Sequence, residues 1–174
     1  MNNNTAAPDR YRSIAIYPGT FDPITMGHLD IVDRALNIFD KVIIAVAVNP
    51  SKKHLFTLEE RLWMIKKCFP DDYSRVNIEE VTGLIIDYAT SKKAKAIIRG
   101  LRAVSDFDYE FQLALMNKKL QRDVDTLFLM PGFRWIYISS SVIKDAASYG
   151  GDVSDLVPEH VDRMLKEKYA TQTL

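Results

Sequence analysis

Residues 41–48 (KVIIAVAV) constrain the fold more than any other stretch of this chain. Every residue after the lysine is apolar and most are β-branched or small. A strand with that pattern is covered on both faces, which is the environment of a parallel sheet flanked by helices. The neighbouring runs agree. Residues 13–17 (SIAIY), 75–81, 95–98 (KAII) and 126–130 (TLFLM) read as further strands. Helical periodicity fills the intervals. Residues 27–39 place Leu29, Val32, Leu36 and Phe39 on one face. Residues 57–69 open on a capping box, Thr57 with Glu60. Residues 84–93 form a short helix. Residues 105–121 form a long one, with Ser105 as N-cap and Asp106, Asp108 and Glu110 in its first turns. Residues 139–149 and 158–169 close the chain as helices. Strands alternating with helices give βαβ units. The fold class is therefore α/β: a single Rossmann-like domain, a parallel sheet of about five strands with helices on both faces.

The expected organisation is a flexible tail at 1–12, one domain at 13–169 and a frayed end at 170–174. Lys plus Arg and Asp plus Glu number 23 each, so the formal net charge is zero. That balance argues against a nucleic-acid partner, while leaving room for a local cationic pocket. Cys68 is the only cysteine, beside Ile65 and Phe69 on what reads as a helix, and it is given no function. No run approaches the roughly 18 apolar residues of a membrane span. The first residues lack an apolar core for secretion. A cytoplasmic protein with no membrane partner is expected.

In an open parallel sheet, ligands bind beyond the carboxyl ends of the strands, where the strand order reverses. Chemistry-bearing residues cluster at those ends. Residues 17–28 (YPGTFDPITMGH) join the first strand to an amphipathic helix. A strand, a Gly/Thr turn and a helix N-terminus form a phosphate site, because the first N–H groups are unpaired and the helix dipole favours anions. His28 in the first turn can donate to a phosphoryl oxygen. Otherwise Gly19, Pro18 and Pro23 only make a tight loop. This is neither a Walker A loop nor GxGxxG. Residues 49–53 (NPSKK) offer Lys52 and Lys53 as flexible point charges for phosphate, or as solvated loop lysines. Residues 98–102 (IRGLR) set Arg99 and Arg102 around Gly100, where Arg can grip phosphate bidentately and Gly admits a ligand to the backbone. Residues 135–141 (WIYISSS) end on serines that cap a helix and can also present hydroxyl and N–H groups to a triphosphate. Glu110 is either a solvated carboxylate or a hydrogen-bond acceptor for ribose or base. His54 and His160 read as surface histidines. No Cys/His cluster has zinc spacing, and no nucleophile stands beside a base.

These residues resemble a known family. Residues 17–28 resemble the (H/T)xGH signature of the nucleotidyltransferase superfamily, and Ile138 to Ser141 resemble its second signature. Residues 98–110 (IRGLRAVSDFDYE), with 49–53, closely resemble the bacterial phosphopantetheine adenylyltransferases. The resemblance runs from about Ser13 to Tyr169. In some members Ser stands where this chain has Asn49, and the family has Ala in place of Ser105. It implies reversible transfer of the adenylyl group of ATP to 4′-phosphopantetheine, giving dephospho-CoA and pyrophosphate, in coenzyme A biosynthesis. It implies that Thr20 and Phe21 meet the nucleotide, that Thr20 also lies near the acceptor phosphate, and that His28 stabilises the transition state by hydrogen bonding and charge. Lys52 and Arg99 would hold the acceptor phosphate, and Ile85 would meet the pantetheine arm. Gly100, Leu101, Arg102, Glu110, Trp135, Ile136, Tyr137, Ile138, Ser139, Ser140 and Ser141 would line the ATP site. Magnesium would ride on the ATP phosphates, and the assembly would be a homohexamer. The other readings are a related cytidylyl- or mononucleotide adenylyltransferase with another phosphorylated acceptor, and a non-catalytic nucleotide-binding module. With no protein nucleophile in view, the acceptor phosphate itself should attack the α-phosphorus in line.

Overall fold

The computed structural model describes residues 13–48, 53–69, 73–102 and 104–170, with the backbone alone for 104–106. The expected N-terminal tail, Lys52 with the rest of residues 49–52, residues 70–72 and 171–174 lie outside the described residues. The chain order is β1 (Ile14–Gly19), α1 (Met26–Leu36), β2 (Lys41–Ala47), α2 (Leu58–Lys66), β3 (Val76–Val81), α3 (Ile85–Ser91), β4 (Ala96–Gly100), α4 (Val104–Leu120), β5 (Asp125–Leu129), α5 (Ser140–Ser148) and α6 (Glu159–Ala170).

The five strands form one sheet in the order β3-β2-β1-β4-β5, with every pairing parallel. Alternation along the strands sends residues to two cores. Ala15, Val42, Ile44, Val46, Ala96 and Ile98 face one side, where Ile31, Met64, Ile143 and Leu165 bring in α1, α2, α5 and α6. Ile16, Ile43, Ala45 and Ile97 face the other, against Ile86 and Ala89 of α3. The apolar run at 41–48 is thus buried on both faces, as its composition requires.

Several boundaries differ from the sequence reading. Helix α1 stops at Leu36 rather than Phe39. Arg75 donates to the carbonyls of Leu36 and Phe39 at 2.5 and 2.9 Å and to Asp40 O at 3.0 Å, so a side chain distant in sequence caps the helix end. Phe39 stays in the core from the turn that follows. Helix α2 ends at Lys66, with Thr57 as N-cap and the expected Thr57–Glu60 box in place. Cys68 therefore sits in the turn after the helix, donating to Met64 O at 3.2 Å. Strands β1 and β4 run longer than expected, through Gly19 and Gly100. Helix α6 runs one residue past 169.

Candidate active site

The strand order reverses between β1 and β4. Their pairing covers Ala15 with Ala96 and Ile16 with Ile97 only. Beyond that point β1 follows β2 as far as Gly19, while β4 follows β5 as far as Gly100. The two strands splay, and a cavity of about 300 Å3 opens between them. Tyr17, Pro18 and Gly19 form one wall and Arg99 and Gly100 the other; the N-termini of α1 and α5 close on it through His28 and Ser139–Ser141.

The turn after β1 is tightly specified. Phe21 adopts a positive φ of 50°, and its ring is 2 % exposed. That ring packs edge-on against Tyr17 and His28, with centroids 5.5 and 5.1 Å apart. The Asp22–Pro23 peptide is cis. Thr25 is the N-cap of α1, and the Thr-x-Gly-His sequence is a capping box in which histidine takes the place usually held by glutamate. The hydroxyl of Thr25 accepts from His28 N at 3.3 Å, and Thr25 N donates to His28 Nδ1 at 3.0 Å. An N–H only donates, so Nδ1 is an acceptor and the ring proton sits on Nε2. Burial, with Arg102 nearby, lowers the His28 pKa to about 4. At neutral pH the side chain is a neutral Nε2–H donor held by its own helix cap. The sequence reading gave it charge as well; the free site does not.

Arg99 and Glu110 form a bidentate pair across the cavity, Nε to Oε2 at 2.6 Å and Nη2 to Oε1 at 2.5 Å. The geometry joins two residues the sequence reading had assigned to different substrates. Arg102 also reaches this cavity, as do Thr20, Trp135 and Ile138. Ser139 caps α5 by accepting from Val142 N at 3.1 Å. Ser140 and Ser141 begin that helix, so their N–H groups lack intrahelical acceptors. Leu101, Ile136 and Tyr137 do not line the cavity; Leu101 instead donates to Leu129 O at 2.9 Å, and Tyr137 is exposed. Ile85 packs at the sheet's other face.

Sequence reasoning missed the groups behind the wall. Asp22 is buried, receiving Leu55 N, Phe56 N and Lys144 Nζ. Burial alone would raise its pKa, but these donors hold it below the usual carboxylate range. Arg61 is buried and donates to Thr20 O at 2.7 Å and Ala47 O at 3.3 Å, tying together the ends of β1 and β2. One signal was available: Arg61 lies on the helix face of Leu58 and Ile65, where an apolar residue belongs. Asp30 accepts Gly132 N at 2.9 Å and so anchors the loop that carries Trp135. Two histidines are corrected. His54 is largely covered, with Nδ1 3.9 Å from Asp22. His160 bonds Met64 O at 2.9 Å beneath Trp63. Among the described residues no group of His, Cys, Asp and Glu could hold a metal, and no helix is long and apolar enough to cross a membrane.

A parallel sheet, a cavity at its switch point lined by two arginines and two helix N-termini, and a Thr-x-Gly-His cap define a nucleotidyltransferase-type site. Residues 16–146 match the cytidylyltransferase-like family. A phosphopantetheine adenylyltransferase of Desulfotalea psychrophila is 63% identical over 90% of this chain and 93% of its own. Another, from Desulfosudis oleivorans, is 57% identical over 89% and 92%. A solved chain from Francisella tularensis, a bifunctional NMN adenylyltransferase/ADP ribose pyrophosphatase, shares the fold with a TM-score of 0.63 at 17% identity. It covers 92% of this chain and 53% of its own. The chain belongs to the cytidylyltransferase-like family and, within it, to the phosphopantetheine adenylyltransferases.

Proposed function

We propose that this enzyme transfers the adenylyl group of ATP to 4′-phosphopantetheine, reversibly, yielding dephospho-CoA and pyrophosphate in coenzyme A biosynthesis. The observation that carries this reading is the convergence of an Nε2–H donor, two arginines and two helix N-termini on one cavity. The acceptor phosphate oxygen attacks the α-phosphorus of ATP. A new P–O bond forms there, and the bond from the α-phosphorus to the bridging oxygen of the β-phosphate breaks, releasing pyrophosphate. The protein's task is alignment and stabilisation of charge on the α-phosphoryl oxygens. His28 Nε2–H donates to one of those oxygens as a neutral group. Thr20 stands between nucleotide and acceptor, and Phe21 supports the nucleotide side. Arg99, held by Glu110, takes the acceptor phosphate together with Lys52, and Ile85 meets the pantetheine arm. Gly100 to Arg102, Glu110 and residues 135–141 belong to the ATP side, with Leu101, Ile136 and Tyr137 as flanking chain rather than as lining of the free cavity.

Magnesium arrives as part of the ATP substrate. The cavity supports this: among the described residues its one carboxylate, Glu110, is committed to Arg99. The enzyme works in the cytoplasm as a homohexamer. In support of assembly, α4 exposes Phe111, Leu115, Met116 and Leu120, an apolar face that a second copy would cover.

The test is pyrophosphate release with ATP, magnesium and 4′-phosphopantetheine, beside His28→Ala. Release should require the acceptor and fall by several orders of magnitude in the variant. Release only with a different phosphorylated acceptor would overturn the substrate, and near-normal turnover of His28→Ala would overturn its role.

A further inference from the structure

Asp22 and Lys144 stand behind the cavity and do not line it. Asp22 is 4 % exposed. Its Oδ1 accepts Phe56 N at 2.9 Å; its Oδ2 accepts Leu55 N at 3.0 Å and Lys144 Nζ at 2.6 Å. Three separate pieces of chain therefore meet at one carboxylate: the turn after β1, the segment leading into α2, and α5. A second attachment lies one helical turn away. Ser140 Oγ donates to Pro23 O at 2.8 Å. Ser140 and Lys144 are four apart on α5 and share a face. Two attachments a turn apart fix both the position and the rotation of that helix against the β1–α1 turn. Rotation matters because Ser139 to Ser141 enter the cavity from the first turn of the same helix.

We propose that Asp22 and Lys144 are a positioning pair, holding α5 against the glycine–threonine turn so that its serines and His28 face one triphosphate. This inference rests on the adenylyl-transfer reading of the cavity. Stability alone is a weak explanation for the pair. A buried ion pair returns little net stability over an apolar pair of equal size, because both charges are desolvated. What it supplies is geometry: a long side chain on one element reaches a carboxylate whose other lone pairs are already committed to fixed N–H groups. The consequence is specific to ATP. Arg99, on the opposite wall, is held by Glu110 of α4.

The experiment compares wild type, Lys144→Met and Lys144→Arg in ATP titration calorimetry and in steady-state pyrophosphate release. Lys144 is partly exposed, and in Lys144→Met the Asp22 carboxylate keeps two N–H donors, so the fold survives. For Lys144→Met, both Kd and KM for ATP should rise about tenfold, since small misplacements of a binding group cost that much or more. KM for 4′-phosphopantetheine should stay within about twofold, because Arg99 is held by Glu110 of α4 and Lys144 by Asp22, two separate contacts. Lys144→Arg, which can reach the same carboxylate, should recover most of the ATP affinity. The proposal is overturned if Lys144→Met binds ATP like wild type. It is equally overturned if both KM values rise together with a fall in Tm that Lys144→Arg does not repair. Should wild type bind ATP but fail to use 4′-phosphopantetheine, the reading of the reaction falls, while the calorimetric comparison still judges the pair.

Discussion

Lowering the pH from 7 to 5 should destabilise this protein through His28 in a way that an uncharged replacement does not share. In the folded chain the His28 pKa is about 4, against 6.5 for an unperturbed imidazole. The cause is burial first, with Arg102 second. The unfolded chain therefore binds a proton at this position across the window from 6.5 to 4, and the folded chain does not. Stability from this group is complete above pH 6.5 and is lost as the pH falls through 4. Integrating over the window gives a loss of roughly 2 kcal/mol between pH 7 and pH 5, and about 3 kcal/mol once both states are protonated. These are upper bounds, because one edge of the ring faces the open cavity. His28→Asn is the matched control: its amide oxygen can accept from Thr25 N, and it does not titrate. Urea unfolding of both proteins at the two pH values isolates the difference from every other titrating group. Ring 15N spectra supply the direct readout, and with three histidines in the chain they are simple to assign. One ring should show the Nε2–H tautomer at pH 7 and no titration above pH 5. A His28 ring titrating with a midpoint near 6.5, or equal pH dependence in wild type and His28→Asn, would refute the neutral-donor assignment.

Other outcomes follow from groups around the cavity. Arg61→Met removes the donors to Thr20 O and Ala47 O; leaving those carbonyls unpaired should cost about 1–3 kcal/mol in urea unfolding. Gly19→Ala would place a Cβ 2.8 Å from the Phe21 ring, an overlap worth about 1–3 kcal/mol. Its Tm should fall and its kcat should fall with it, since the same ring packs on His28. Leu115→Asp with Met116→Asp charges two exposed apolar residues of α4. In sedimentation this variant should run as single chains where wild type runs as an assembly; equal sedimentation would remove α4 from the interface.

The architecture was legible because it rests on local signals. The apolar run at 41–48, the Thr57 capping box and the regular alternation of periods each act within a few residues. The cavity was legible for a related reason. Once β1 and β4 flank the switch point, the residues at their ends must line the gap: Thr20 directly follows β1, and Arg99 and Gly100 end β4. What sequence could not show is contact across long separations. Lys144 meets Asp22 across 122 positions, and Arg75 caps α1 from 39 positions away at its farthest contact. Nothing in the residues flanking either cation marks its partner. Glu110 was ambiguous for the same reason: nothing local to α4 indicates that its partner is the last-but-one residue of β4.

The distribution of these hidden charges explains how a chain of zero net charge can hold a polyanion. A long-range basic field is unnecessary for a small ligand, because exposed charges are screened within about 8 Å in physiological salt. For the proposed substrates the cavity would instead use fixed donors at contact range: Nε2–H of His28, the first N–H groups of α5, and the Arg99 fork. Such donors are effective only if they cannot reorient, and each is held from behind by its own device. A capping box fixes His28, Glu110 holds Arg99, and the Asp22–Lys144 pair with the Ser140–Pro23 bond sets α5. In the proposed reaction these buried charges fix direction, so that transition-state charge would meet dipoles already aimed at it.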